Sequence, residues 1–96
     1  MKMFQVVTSN KFLKDLKLLK KRSVADFKLL QDFVNHLAIH GATGVDQKHK
    51  PHKLKGEYSG YWECHVKPDL LLIWDESEKL MLLELLRTGT HSDLFK

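Results

Sequence analysis

The chain is poor in the features that would tie it to a secreted or membrane-embedded class. It has one cysteine, Cys64, so no intrachain disulfide can form. A lone thiol fits a reducing compartment, and a cytoplasmic location is expected. The longest apolar runs, Leu70 to Trp74 and Leu80 to Leu83 followed by Leu85-Leu86, are too short to span a bilayer. No apolar h-region follows Met1-Lys2-Met3-Phe4, so no signal peptide is expected. Internal repeats and low-complexity segments are absent.

What is present is enough for one small domain over residues 1–96, with 43% hydrophobic residues to build a single core. Charge is unevenly placed. Residues 1–55 hold 12 Lys and Arg against 4 Asp and Glu, residues 56–96 hold 4 against 8, and the halves therefore carry +8 and −4. A basic half favours a polyanionic partner such as RNA, DNA or an acidic protein, although a solvated surface has the same composition.

Periodicity predicts a β-α-α-β-β-β-β order. Phe4, Val6 and Val7 make residues 3–8 a short strand. Phe12, Leu13, Leu16 and Leu19 form the core face of a helix over residues 10–21. Ser23 caps a second helix over residues 24–40, with Asp26 completing a weak capping box. The buried stripe of that helix is Phe27, Leu30, Val34 and Leu37, and Gly41 stops it. After a polar loop at 42–52, strands are predicted at 53–58, 60–67, 70–75 and 80–88. Pro68-Asp69 makes a tight turn. The apolar run at Leu70 to Trp74 marks a central strand covered on both faces. One helical turn can close the chain at 92–95. The fold class is α+β, with two N-terminal helices packed on one face of a twisted, mainly antiparallel sheet.

Strand alternation sends Tyr61, Glu63, His65 and Lys67 to one face, and Trp62, Cys64 and Val66 to the other. Antiparallel pairing of the last two strands then brings His65, Asp69, Arg87 and His91 to one end of the sheet, with His52 just before the same region. This set contains a base, an acid and a cation for a phosphate, which suffices to cleave RNA without a metal. Histidine and aspartate suit proton transfer, and the arginine fork suits a phosphate. Each residue also has a plainer reading: surface histidine, turn aspartate, edge-strand cation. A metal site from His52, His65, Asp69 and His91 lacks a ligand-spacing signature. His36 and His40 stand one helical turn apart on a helix flank, His49 lies in the loop, and Cys64 packs as a small hydrophobe. Lys11, Lys14, Lys17 and Lys21 form a basic helical stripe that, with Lys53 and Lys55, can grip the phosphates of a large RNA.

Three motifs, in this order, carry a family resemblance: His52-Lys53-Leu54-Lys55-Gly56, His65-Val66-Lys67-Pro68-Asp69 and Arg87-Thr88-Gly89-Thr90-His91, the last continuing to Phe95. Together with the element order they resemble the YafQ-type toxins of the RelE/ParE superfamily of bacterial toxin–antitoxin modules. The resemblance implies a RelE-like fold and a ribosome-dependent mRNA endonuclease that cuts codons in the A site. It implies no metal or other cofactor, no membrane, and a cognate antitoxin protein as partner beside ribosome and mRNA. It carries function over to His52, His65, Asp69, Arg87, His91 and Phe95. On this basis Asp69, or a histidine it assists, is the general base, His91 the acid and Arg87 the phosphate holder. His52 and His65 position the backbone or steady charge, and Phe95 supports His91 or stacks on a base. Two positions depart from the pattern: Leu70 stands where some relatives have an aromatic residue, and Trp62 where relatives tend to carry arginine. Competing expectations are a non-enzymatic ParE-like toxin that inhibits DNA gyrase, and an inert homologue that only binds antitoxin.

Overall fold

A computed structural model describes residues 3–95; residues 1, 2 and 96 lie outside it, including the start of the segment considered for a signal peptide. Strand β1 (Gln5–Thr8) leads into helices α1 (Asn10–Arg22) and α2 (Val24–His40). Strands β2 (His52–Lys53), β3 (Trp62–Lys67), β4 (Leu70–Ser77) and β5 (Leu82–Gly89) follow, and helix α3 (His91–Leu94) ends the fold.

Two serines set the helix boundaries. The Ser9 hydroxyl accepts from the Phe12 N–H at 3.0 Å and donates to the Leu86 carbonyl at 2.9 Å, so the cap of α1 is also a tether to β5. Ser23 closes α1 through its own N–H and opens α2 by accepting from the Asp26 N–H. The capping box expected at Ser23 is only half formed, because the Asp26 carboxylate turns outward to Lys67 at 2.8 Å. Leu13, expected in the core, is 44% exposed, and the burial of α1 falls on Phe12 and Leu19 with Leu16 at their edge.

The sheet order is β1-β5-β4-β3-β2, with β1 parallel to β5 and every other pair antiparallel. β4 lies in the middle of this order and is buried on both faces. Leu70, Leu72 and Trp74 join the helix-side core, while Leu71 and Ile73 join a smaller core under Leu94, flanked by Leu54, Tyr58, Tyr61 and Leu86. The strand expected at 53–58 is reduced to His52 and Lys53. Gly56, at φ 73°, turns the chain into a short 3-10 helix, Gly56–Tyr58, which cannot continue a ladder.

Two bulges break the expected alternation. Between His65 and Lys67 one extra residue enters β3, so Lys67 lies against α2 and Asp26 instead of sharing a face with His65. A second irregularity, opposite Ile73 and Trp74, leaves Leu86 unpaired in β5 and resets the direction of Arg87.

Both strands that carry the C-terminal motifs outrun their neighbours. β1 pairs only with Leu82 to Leu85, and β2 only with Trp62 and Glu63. The backbone groups left at these edges need partners. Side chains provide them: Asp15 accepts the Thr88 N–H at 3.1 Å, and the His49 ring donates to the His65 carbonyl at 2.7 Å.

Candidate active site

The turn at Pro68-Asp69 places the Asp69 carboxylate beside the start of α3. One oxygen accepts the His91 N–H at 3.2 Å and lies 3.5 Å from His91 Nδ1. Both side chains are more than half exposed, so the pair is open to a substrate. The His65 ring stands 5.6 Å from that of His91, centroid to centroid, and its Nδ1 donates to the Pro68 carbonyl at 3.2 Å. This bond fixes the tautomer and leaves Nε2 free. Phe95 lies 6.2 Å from His91 and meets Tyr58 edge-on at 6.0 Å. His65, Asp69, His91 and Phe95 are thus brought together.

The Arg87 guanidinium is turned towards α1. Its Nε and an Nη donate to the Asp15 carboxylate at 2.7 and 3.1 Å, and the Tyr58 hydroxyl lies near the guanidinium. Hydrogen bonding to Asp15 raises the arginine above its ordinary pKa against the opposing effect of burial. The guanidinium has five N–H donors, so Asp15 leaves donors over for a second anion. His52 points elsewhere: Nδ1 donates to the Lys50 carbonyl at 2.7 Å, and Nε2 is 3.3 Å from the buried Glu63 carboxylate. The other Glu63 oxygen is buried without a hydrogen-bond partner.

The C-terminal motif has a local reason for its glycine. Gly89 adopts φ +146°, and a Cβ there would fall 2.9 Å from the Asp93 carboxylate. Asp93 needs that room. It completes a capping box with Thr90 and accepts two hydrogen bonds from Arg22, at 2.7 and 3.3 Å, which hold its carboxyl down at about 2. Helix α3, which carries His91, is therefore anchored to α1.

The lysines Lys11, Lys14, Lys17 and Lys21 are all exposed on α1, as are Lys53 and Lys55. Lys53 lies over the Trp62 ring at 5.7 Å, and Trp62 stacks on Trp74, so the position that departs from the family pattern packs into the helix-side core. Leu70, the other departure, is buried in that same core and does not face the histidines. Burial pushes the Cys64 thiol up to about 12. His36 and His40 are exposed, with rings 4.5 Å apart. Among the described residues, no three His, Cys, Asp or Glu side chains converge in a metal-holding arrangement.

Sequence reasoning missed four participants: Asp15, His49, Tyr58 and Glu63. Only Glu63 carried a legible sign, an acidic residue in register to face a histidine across a short hairpin.

Two N-terminal helices on a β1-β5-β4-β3-β2 sheet, with a histidine and carboxylate cluster at one end, define a toxin of the RelE/ParE superfamily. Residues 4–96 match the family model described as the bacterial toxin of type II toxin–antitoxin systems, YafQ. The chain belongs to this YafQ toxin family. It is 38% identical over 87 residues to the mRNA interferase toxin YafQ of Escherichia coli K12, covering 91% of this chain and 90% of the relative. The E. coli DinJ–YafQ complex contains a chain that superposes with a TM-score of 0.82 at 35% identity, covering 97% of this chain and 99% of that one. A metal-bound toxin from Helicobacter pylori gives a TM-score of 0.80 at 44% identity, over 97% and 100% of the two chains.

Proposed function

We propose that this toxin is a ribosome-dependent mRNA endonuclease that cleaves the A-site codon by acid–base attack of the ribose 2′-hydroxyl on the adjacent phosphate. The observation that carries the reading is the open His65–His91–Asp69 cluster, in which two imidazoles each keep one nitrogen free. His65 Nδ1 is bound to the Pro68 carbonyl, so the free Nε2 accepts the 2′-hydroxyl proton. Asp69 faces His91 Nδ1, orienting the ring so that Nε2 delivers a proton to the departing 5′-oxygen. Asp69 thus acts through His91, and His65 takes the base role. Arg87 uses the donors that Asp15 leaves free to bind the phosphate as charge accumulates on it. Phe95 supports the His91 ring and offers a stacking face. His52, with both nitrogens directed at acceptors, contributes position and charge. The α1 lysines, with Lys53 and Lys55, contact ribosomal RNA.

A cognate antitoxin neutralises the toxin, as the pairing of E. coli YafQ with DinJ supports. An acidic segment that folds on binding suits the basic surface, and charge complementarity speeds the encounter.

Primer extension on a defined mRNA, with and without programmed ribosomes, tests the reading. A discrete cut that requires ribosomes and is lost in His91→Ala is expected. Growth arrest without any cut would sink the proposal and favour a gyrase-directed toxin.

A further inference from the structure

Beside the histidine cluster lies a groove that the catalytic reading does not use. It encloses about 520 Å³ between the 46–52 loop, α2 and the end of β3, and His65 is part of its wall. We infer that this groove is a subsite for the RNA strand flanking the cleaved bond; the inference rests on the ribonuclease reading above.

Charge comes first. Lys48, Lys50 and Lys67 line the groove, and no acidic side chain does. Asp26 holds Lys67 at 2.8 Å, while Lys48 and Lys50 are exposed and form no ion pair among the described residues. Two unpaired cations thus line the same groove as His65, where a polyanion that reaches His65 would meet them.

The loop that carries these lysines is fixed before any ligand arrives. Asp46 accepts the Lys48 N–H at 2.9 Å, Gln47 the Lys50 N–H at 2.9 Å, and the Lys50 carbonyl accepts from His52 at 2.7 Å. His49 pins the loop to β3 through the His65 carbonyl and meets Phe33 edge-on at 5.1 Å. Lys50 itself is held at φ 50°, a left-handed conformation that costs a non-glycine residue strain. A surface loop held this firmly loses little entropy on binding.

The floor fits a nucleotide. Leu29, 41% exposed, and Pro68 give carbon surface for a base or ribose. The volume falls within the range of roughly 300–1,000 Å³ usual for small-ligand sites. An acidic peptide would satisfy the lysines equally, but continuity with His65 favours the strand being cut.

The test uses a short single-stranded RNA blocked by 2′-O-methylation, with affinity measured against salt for the wild type, Lys48→Ala/Lys50→Ala and Lys79→Ala. Lys79 lies in the turn between β4 and β5, at the opposite end of the sheet. Each phosphate contact on a single strand contributes about 0.7 to the slope of log K against log salt, so the double variant loses about 1.4 and Lys79→Ala nothing. Lys48→Arg/Lys50→Arg restores the slope. In the ribosome assay the double variant cuts the same codon with a raised KM and an unchanged kcat. An unchanged slope in the double variant, or loss of antitoxin affinity with RNA binding intact, overturns the inference. If the wild type shows the lysine-dependent slope but ribosomes are never cut, the subsite stands and the nuclease reading falls.

Discussion

Asp15 on α1 and Arg87 on β5, 72 residues apart in sequence, form a two-bond ion pair at 2.7 and 3.1 Å. The same carboxylate also takes the Thr88 N–H. One side chain therefore completes the edge of β5 beyond the reach of β1 and aims the guanidinium.

Asp15→Ala should leave Arg87 partly buried without its partner and the Thr88 N–H without an acceptor, destabilising the fold by about 2 kcal/mol in urea unfolding. Asp15→Asn keeps acceptor capacity and should recover part of that loss. If Asp15 positions Arg87, both variants lower kcat more than they raise KM in the ribosome assay. An effect on KM alone would assign Asp15 to binding.

Asp69→Asn preserves an acceptor for the His91 N–H but removes the charge facing Nδ1. Cleavage should slow more than tenfold, a barrier change above about 1.4 kcal/mol, with folding intact by circular dichroism. A rate within tenfold of the wild type would remove Asp69 from the mechanism.

The Arg22–Asp93 pair gives a pH signature. The Asp93 carboxyl is depressed to about 2 from its ordinary 3.8, first by hydrogen bonding to Arg22 and then by bonding within the Thr90 cap. A depressed carboxylate stabilises the fold above its unfolded pKa and loses that contribution as pH falls through the folded value. The stability difference between wild type and Asp93→Asn should be constant above about pH 5, fall as pH drops through the unfolded and folded values, and approach zero only near about pH 1. Thermal melts over this range measure it; a difference that stays undiminished at about pH 1 would place the role of Asp93 in packing.

Gly89→Ala places a methyl group against the Asp93 carboxylate at a backbone angle that disfavours side chains. It should release α3, seen as faster amide exchange at residues 91–94, and reduce cleavage without a change in ribosome affinity.

The Cys64 thiol, buried and raised to about 12, should be inert to thiol reagents at pH 8 in the folded protein and react fully in denaturant. Rapid native labelling would show that β3 opens.

Much of this fold is local and was therefore legible in the sequence. The interval 24–40 for α2, the Pro68-Asp69 turn and the buried run at Leu70 to Trp74 follow from capping, turn chemistry and hydrophobic period, and all appear as expected. The motifs placed His65, Asp69 and His91 together because a hairpin and a short turn fix their separation. The two bulges were not legible, since an extra residue in a strand is set by the twist and packing of its partners; this is why Lys67 left the face of His65. Nor were Asp15, His49, Tyr58 and the depth of Glu63, whose partners lie far away in sequence or arise from a shortened strand. The sequence by itself determined which elements form and which chemical groups are available. Only the tertiary structure decided how unpaired strand edges are satisfied, because a backbone N–H or carbonyl takes whichever side chain packing delivers.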